Sequence, residues 1–241
     1  MAKQATGFRM QARIFMSMLR KDFRSEARQA NDLLSIVFFD LILTFIISMA
    51  YSIGYGSDQM PLDIFMVQTW VIIFFTVLFM ISKLMINEKE AGTLNGMLTA
   101  PVSPVSILFC KIVFGFVILC LIEAIQVIFS IFISRPVGIV MNFGSIITFI
   151  FLGIGVPTID LTICGTIISS ISIYTKHRAF VLPVLLFPLI LPIITPILTL
   201  NINLLQGLPV SSVIFELIFI AAHALLLICL SILAAREMLI E

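Results

Sequence analysis

The sequence predicts an all-α integral membrane protein: six transmembrane helices preceded by an N-terminal amphipathic interfacial helix. Three observations predict it: an extreme composition, six long apolar runs, and basic residues confined to alternate connections. Of the 241 residues 61% are hydrophobic and 11% charged, and the mean hydropathy is +1.20. A soluble domain carries about 25% charged residues. The length suits one polytopic domain and leaves no room for a separate soluble catalytic domain. Two regions are expected, an N-terminal amphipathic segment over 1–32 and a six-span domain over 33–241.

The apolar runs cover about 33–54, 64–86, 105–134, 143–173, 179–200 and 211–235. Each is near or above the roughly 20 residues that cross a ~30 Å hydrocarbon core. Two are longer than a perpendicular span needs. In the third, Pro104–Cys110 is expected at the interface, with the true span starting near Lys111. The fourth is expected to tilt or break near Gly153, Gly155 and Pro157. In the fifth, Pro183, Pro188, Pro192 and Pro196 each remove a backbone hydrogen bond and favour a bend. Gly153, Gly155, Pro157, Pro183, Pro188 and Pro192 are the candidate hinges.

Orientation follows from lysine and arginine. The N-terminal segment holds Lys3, Arg9, Arg13, Arg20, Lys21, Arg24 and Arg28. Lys83, Lys89 and Lys111 flank the connection between spans two and three, Lys176 and Arg178 follow span four, and Arg236 follows span six. The opposite connections hold Arg135 alone. This distribution predicts both termini in the cytoplasm and a multi-pass protein of the cell (inner or cytoplasmic) membrane.

The N-terminal segment repeats apolar residues at Phe8, Ala12, Phe15, Leu19 and Phe23, while Arg13, Arg20, Arg24 and Arg28 fall elsewhere on the helix. Such a helix lies along the inner leaflet with its arginines near anionic headgroups. Its first 30 residues lack the short apolar core and small-residue cleavage site of a removable signal.

Between spans two and three lies a polar island, 87–111. Asn87 followed by Glu90 has the spacing of a capping box, and Glu88 and Glu90 would then sit at the positive end of a short helix. Ala91, Leu94 and Leu98 would share one face, letting this helix lie on or dip into the membrane. Pro101 ends the helix, because the residue before proline disfavours helical angles. Ser103 and Pro104 restart one, as N-cap and first-turn proline. The expected product is a compact elbow able to transmit a push into spans two and three.

The elbow residues Glu88, Glu90, Gly92, Thr93, Leu94, Pro101, Val102, Ser103 and Lys111 resemble the signature of type-2 ABC transporter permeases. Within that superfamily the chain is most similar to the haem-exporter B subunit family of cytochrome c maturation. Further segments carry the likeness: Leu19 to Arg28 with Phe38 and Phe39, Gly153 to Pro157, and Arg178 with Leu182, Pro183, Phe187, Pro188, Leu189 and Pro192. Asn95 departs from the acidic residue usual at its position. The resemblance implies a permease subunit that couples ATP hydrolysis by a separate ATPase subunit to export or delivery of a substrate. It implies haem as that substrate, and cytochrome c maturation proteins as partners. Glu88, Glu90, Gly92, Thr93, Leu94, Pro101, Pro104 and Lys111 become the expected ATPase-coupling residues. Six spans make half of such a pathway, so a homodimer or pairing with a second permease is expected.

Asp40, Glu123, Asp160, Glu216 and His223 lie within apolar spans. An acid at the centre of a membrane helix costs about +2.5 to +3.5 kcal/mol on insertion scales, so these side chains should face the interior. They read equally as a polar lining, an interhelical latch, or protonated acids bonded to a neighbouring helix. Asp40 is expected to meet a lysine or arginine near the cytoplasmic side. Cys110, Cys120, Cys164 and Cys229 read as small apolar thiols rather than ligands.

No G-x-x-x-x-G-K-[ST], H-E-x-x-H or G-x-S-x-G occurs, so neither ATP binding of the usual kind nor these hydrolytic centres is encoded. With two histidines, a metal or acyl-transfer centre is not expected, nor a cofactor bound by this chain. The basic residues follow membrane topology and give no support to nucleic-acid binding. An ion- or proton-coupled secondary transporter is the alternative suggested by the buried acids, but no inverted repeat is evident. A non-transporting membrane assembly factor lacks a catalytic constellation.

Overall fold

The computed structural model describes the backbone of residues 2–99, 102–140, 142–175 and 178–239, with side chains from Arg13 onward apart from scattered positions including Asn95, Leu98 and Arg178. An N-terminal helix, Ala2–Arg28, turns at Gln29 into span one, Ala30–Tyr55. The turn falls at Gln29, three residues before the boundary expected at 32. Span two runs Leu62–Glu90, a short helix Thr93–Thr99 follows, and span three is Pro104–Ser134. Span four is Phe143–Ser172, span five Arg178–Leu205, and span six Ile214–Leu239 after a 3-10 turn at Val210–Val213. Among the described residues extended pairing is limited to one isolated bridge, Pro61 with Val137.

Among the described residues six helices are thus long and apolar enough to cross a membrane. Spans two, three and four form the centre and one, five and six the periphery. In the most apolar window of span two 61% of residues are buried, against 17% in span six. The outward faces carry Phe38, Phe45, Phe132, Phe151, Phe187, Phe215 and Leu233, all exposed. Lipid satisfies such faces, whereas water would not.

Span three does not divide at Lys111. One helix continues from Pro104 to Ser134, and Lys111 is buried. Its ammonium is received by two carboxylates described below.

Span four does not break either. It widens into a π-helical stretch, Phe149–Gly155, directly before Pro157. Proline lacks the N–H that would bond the carbonyl four residues back, and a π-turn relieves the clash while keeping the helix continuous. Gly153 lets span five approach. A Cβ there would stand 2.7 Å from Asn201 Oδ1 and 2.9 Å from Phe149 Cδ2.

Span five likewise remains a single helix through Pro183, Pro188, Pro192 and Pro196. Its inward row is Leu182, Leu186, Ile190, Ile193, Ile197, Leu200 and Leu204. Pro188 and Pro192 are exposed on the opposite side. Pro188 and Pro192 therefore bring their missing hydrogen bonds to the outer face, while Pro183 and Pro196 are half-buried beside the inward row.

At one end of the bundle three connections are laced by backbone bonds. Met60 N–H donates to Ser134 at 3.2 Å, Val137 N–H to Met60 at 3.0 Å, and Val140 N–H to Leu205 at 2.8 Å. Gly56 (φ 63) and Arg135 (φ 44) end spans one and three there in left-handed conformation. The N-terminal helix and the elbow lie at the other end.

Candidate functional site

The elbow begins where span two stops. Span two passes through a π-helical turn at Ser82–Ile86 and continues unbroken through Asn87–Glu90. Asn87 is therefore inside a helix, and the expected capping box is not formed: Ile86 before it is helical and no side-chain cap is present. Glu88 stands in the last turn of a long helix, where the dipole disfavours an acid. The backbone reverses at Gly92, whose φ of +70° suits glycine alone without strain. Ala91 lies in that turn, so it does not share a helical face with Leu94 as expected. Leu94 is buried against Met85, Ile107, Leu108, Ile173 and Ala235. Pro101 lies outside the described residues, as does the side chain of Leu98. Ser103 and Pro104 restart the chain as expected: the Ser103 Oγ accepts from Ser106 N–H at 3.2 Å, with Pro104 in the first turn.

What offsets the dipole at Glu88 is a compact charge cluster. Lys111 Nζ donates to Glu88 Oε1 at 2.8 Å and lies 2.9 Å from Asp22 Oδ2. The second contact is an ion pair by distance without hydrogen-bond alignment. Lys21 Nζ donates to Glu88 Oε1 at 2.7 Å and lies 3.4 Å from Asp22 Oδ1. Thr93 donates to the Glu88 carboxylate from the start of the short helix. Partial burial alone would lower the Lys21 pKa, but the Glu88 and Asp22 carboxylates hold it above its ordinary value. A second bridge joins Lys83 Nζ to Glu26 Oε1 at 2.8 Å and to Asp32 Oδ2 at 3.4 Å. Lys89 donates to the Ile173 carbonyl at 2.9 Å and sits 4.3 Å from the Tyr174 ring centroid.

The N-terminal helix, the elbow, span three and the end of span four are thereby joined. The apolar stripe of the N-terminal helix takes part: Leu19 and Phe23 pack on the core, and Phe23 meets Phe114 edge-on at 5.2 Å. Of the apolar stripe, Leu19 and Phe23 are thus turned onto the bundle, while the side chains of Phe8 and Ala12 lie outside the described residues. Between helix and elbow opens a groove of about 650 Å³ lined by Arg24, Glu26, Arg28, Asn87, Glu90 and Thr93 among others. Glu90, Ala91, Gly92, Thr93 and Gly96 are exposed. Asp22 and Glu26 were missed in the sequence reading. A signal existed: with Leu19 and Phe23 they fall on the inward face, and acids on such a face require cationic partners.

The intramembrane acids occupy three separate places. Asp40 Oδ2 accepts from Thr76 Oγ1 at 2.8 Å, and a Thr158 hydroxyl donates to the Glu123 carboxylate. Asp40 thus meets a threonine of span two rather than the lysine or arginine expected. Towards the laced end, Ser48 and Ser134 share a 2.7 Å hydrogen bond, and Gln68 Nε2 donates to both, at 3.2 and 3.3 Å. Asp160 is paired elsewhere: both its oxygens lie 3.0 Å from His223 Nδ1. Glu216 is half-buried in the first turn of span six, at the laced end.

A family model for the CcmB protein matches residues 13–238. The chain belongs to the CcmB family. The match spans the N-terminal helix from Arg13, all six spans and the elbow, so the family covers every element described above. No curated protein matches the chain. As a CcmB-family member the chain is a multi-pass membrane protein of haem-exporter-like transport in cytochrome c maturation, of the permease-subunit kind rather than an enzyme. The ATPase that works with this family is a separate subunit.

Proposed function

We propose that this chain is the permease subunit of an ABC transporter and receives its ATPase partner on the elbow. One observation carries the reading: Glu88 is bound at once by Lys21 of the N-terminal helix and Lys111 of span three. A load applied at 87–99 therefore reaches spans two and three through a joined block, not through a hanging loop. The groove beside it, with basic Arg24 and Arg28 on one wall and Glu90 on the other, supplies polar contacts of both signs. The elbow end then faces the cytoplasm with both termini, in the cell membrane, as the basic residues dictate. Six spans act as a pair of chains, and the cargo, taken from the family, is haem delivered for cytochrome c maturation. The candidate hinges Gly153, Gly155, Pro157, Pro183, Pro188 and Pro192 would take up the movement, since continuous helices with missing or widened hydrogen bonds bend at low cost.

The test is co-expression with an ABC ATPase of the kind that works with CcmB-family proteins. The wild type should retain the ATPase through purification and stimulate its turnover. Glu90→Arg combined with Gly96→Arg should lose both while the membrane protein stays folded; a Cβ at Gly96 meets nothing within 4 Å. Undiminished retention and stimulation in that variant would remove the elbow from the interface. Substrate uptake driven by a proton gradient in vesicles free of any ATPase would favour a secondary transporter instead.

A further inference from the structure

Asp160 and Cys164 stand one turn apart on span four and project side by side, as residues four apart on a helix do. His223 of span six faces them. One ligand-capable atom from each, a carboxylate oxygen, the Cys164 sulfur and an imidazole nitrogen, lie within 4.8 Å of one another. Both Asp160 oxygens converge on His223 Nδ1 at 3.0 Å. Asp160 and Cys164 are fully buried, and the His223 side chain is 15% exposed.

We propose that Asp160, Cys164 and His223 form a binding site for a divalent transition-metal ion that fastens span six to span four. The ligand chemistry selects the class. Thiolate and imidazole favour zinc and its neighbours over magnesium or calcium, which take oxygen ligands. Ligands about 2.0–2.3 Å from a tetrahedral ion lie roughly 3.3–3.8 Å apart, so on binding the Asp160–His223 pair would open by about 0.3 Å and the widest pair would close by up to about 1 Å. Charge favours it too. A dication with one carboxylate, one thiolate and a neutral imidazole has no net charge, which suits a site in the interior of a membrane bundle. The thiol proton leaves as the ion binds. Three protein ligands leave a fourth position open. The site also lies where it would matter, because span six is the least buried of the six.

The rival arrangement is an Asp160–His223 hydrogen bond beside an inert thiol. To separate them, the full chain is purified in detergent with Cys110→Ala, Cys120→Ala and Cys229→Ala, so that Cys164 is the one thiol left. It is stripped of metal and titrated with Zn²⁺ or Co²⁺ alone. One equivalent of zinc should bind and raise Tm, and Co²⁺ should give a thiolate-to-cobalt charge-transfer band with tetrahedral visible absorption. Cys164→Ser should abolish that band, and His223→Ala should weaken zinc binding at least tenfold. If metal-free Cys164→Ser melts like its parent, the substitution has left the fold intact. Absence of the cobalt band in the parent, or zinc binding unchanged in both variants, overturns the site.

Discussion

Replacing Lys111 by methionine tests whether the charge cluster holds the N-terminal helix in place. Methionine keeps much of the side-chain length, so the change is chiefly electrostatic. The Lys111 side chain is 3% exposed and faces Glu88 at 2.8 Å and Asp22 at 2.9 Å. Removing one partner of a buried pair costs about 3–5 kcal/mol. Lys21 remains beside both acids but is 44% exposed, so the lower end, about 3 kcal/mol, is expected. At 1.4 kcal/mol per factor of ten, that raises the undocked population by roughly a hundredfold. Cys110 provides the assay. It is fully buried, with its sulfur 4.0 Å from the Phe15 carbonyl of the N-terminal helix. With Cys120 and Cys229 changed to alanine, maleimide labelling of Cys110, located by peptide mapping, should accelerate by up to about a hundredfold, as opening precedes reaction. Adding Glu88→Gln removes one orphaned acid and should recover at least about 1 kcal/mol as a coupling between the two sites. Labelling less than about threefold faster in Lys111→Met would refute the reasoning.

Three further perturbations probe separate elements. Gly115→Ala puts a Cβ 2.8 Å from Thr162 Cγ2 and 3.1 Å from Leu84 Cδ2; overpacking of this kind costs about 1–3 kcal/mol, read as a lower Tm in detergent. Gly92→Ala meets no atom within 4 Å, so its loss of about 1–2 kcal/mol comes from the left-handed backbone alone, and Gly92→Asn should be milder. Thr76→Val removes the hydroxyl donor of Asp40; leaving that acid unsatisfied costs about 1–3 kcal/mol, and Asp40→Asn in the same background should recover part of it in a thermal melt.

The six spans were legible because each is an apolar run bounded by turn residues, and lipid imposes no finer pattern than length. Local chemistry was legible at Ser103–Pro104, where N-cap and proline act within one turn. It misled at Asn87–Glu90, where capping-box spacing occurs inside a helix that π-turns had already carried past Ser82. Nothing in the local sequence announces that continuation. Long-range pairing was the least legible. Glu88 was singled out, but its partners lie 67 residues upstream and 23 residues downstream. The pairing of Asp160 with His223 spans 63 residues and depends on spans four and six lying side by side. Charge type could be read at each of these positions; adjacency required the fold.

The charge cluster also bears on the order in which the chain is made. Asp22 leaves the ribosome long before Lys111, the cation that shares it with Glu88. Until span three is made, Asp22 lies without Lys111 on a face otherwise shaped for packing, whereas Glu26 already has its partner, Lys83, near the end of span two. The contacts that seat the N-terminal helix are therefore complete only once span three supplies Lys111 and Phe114.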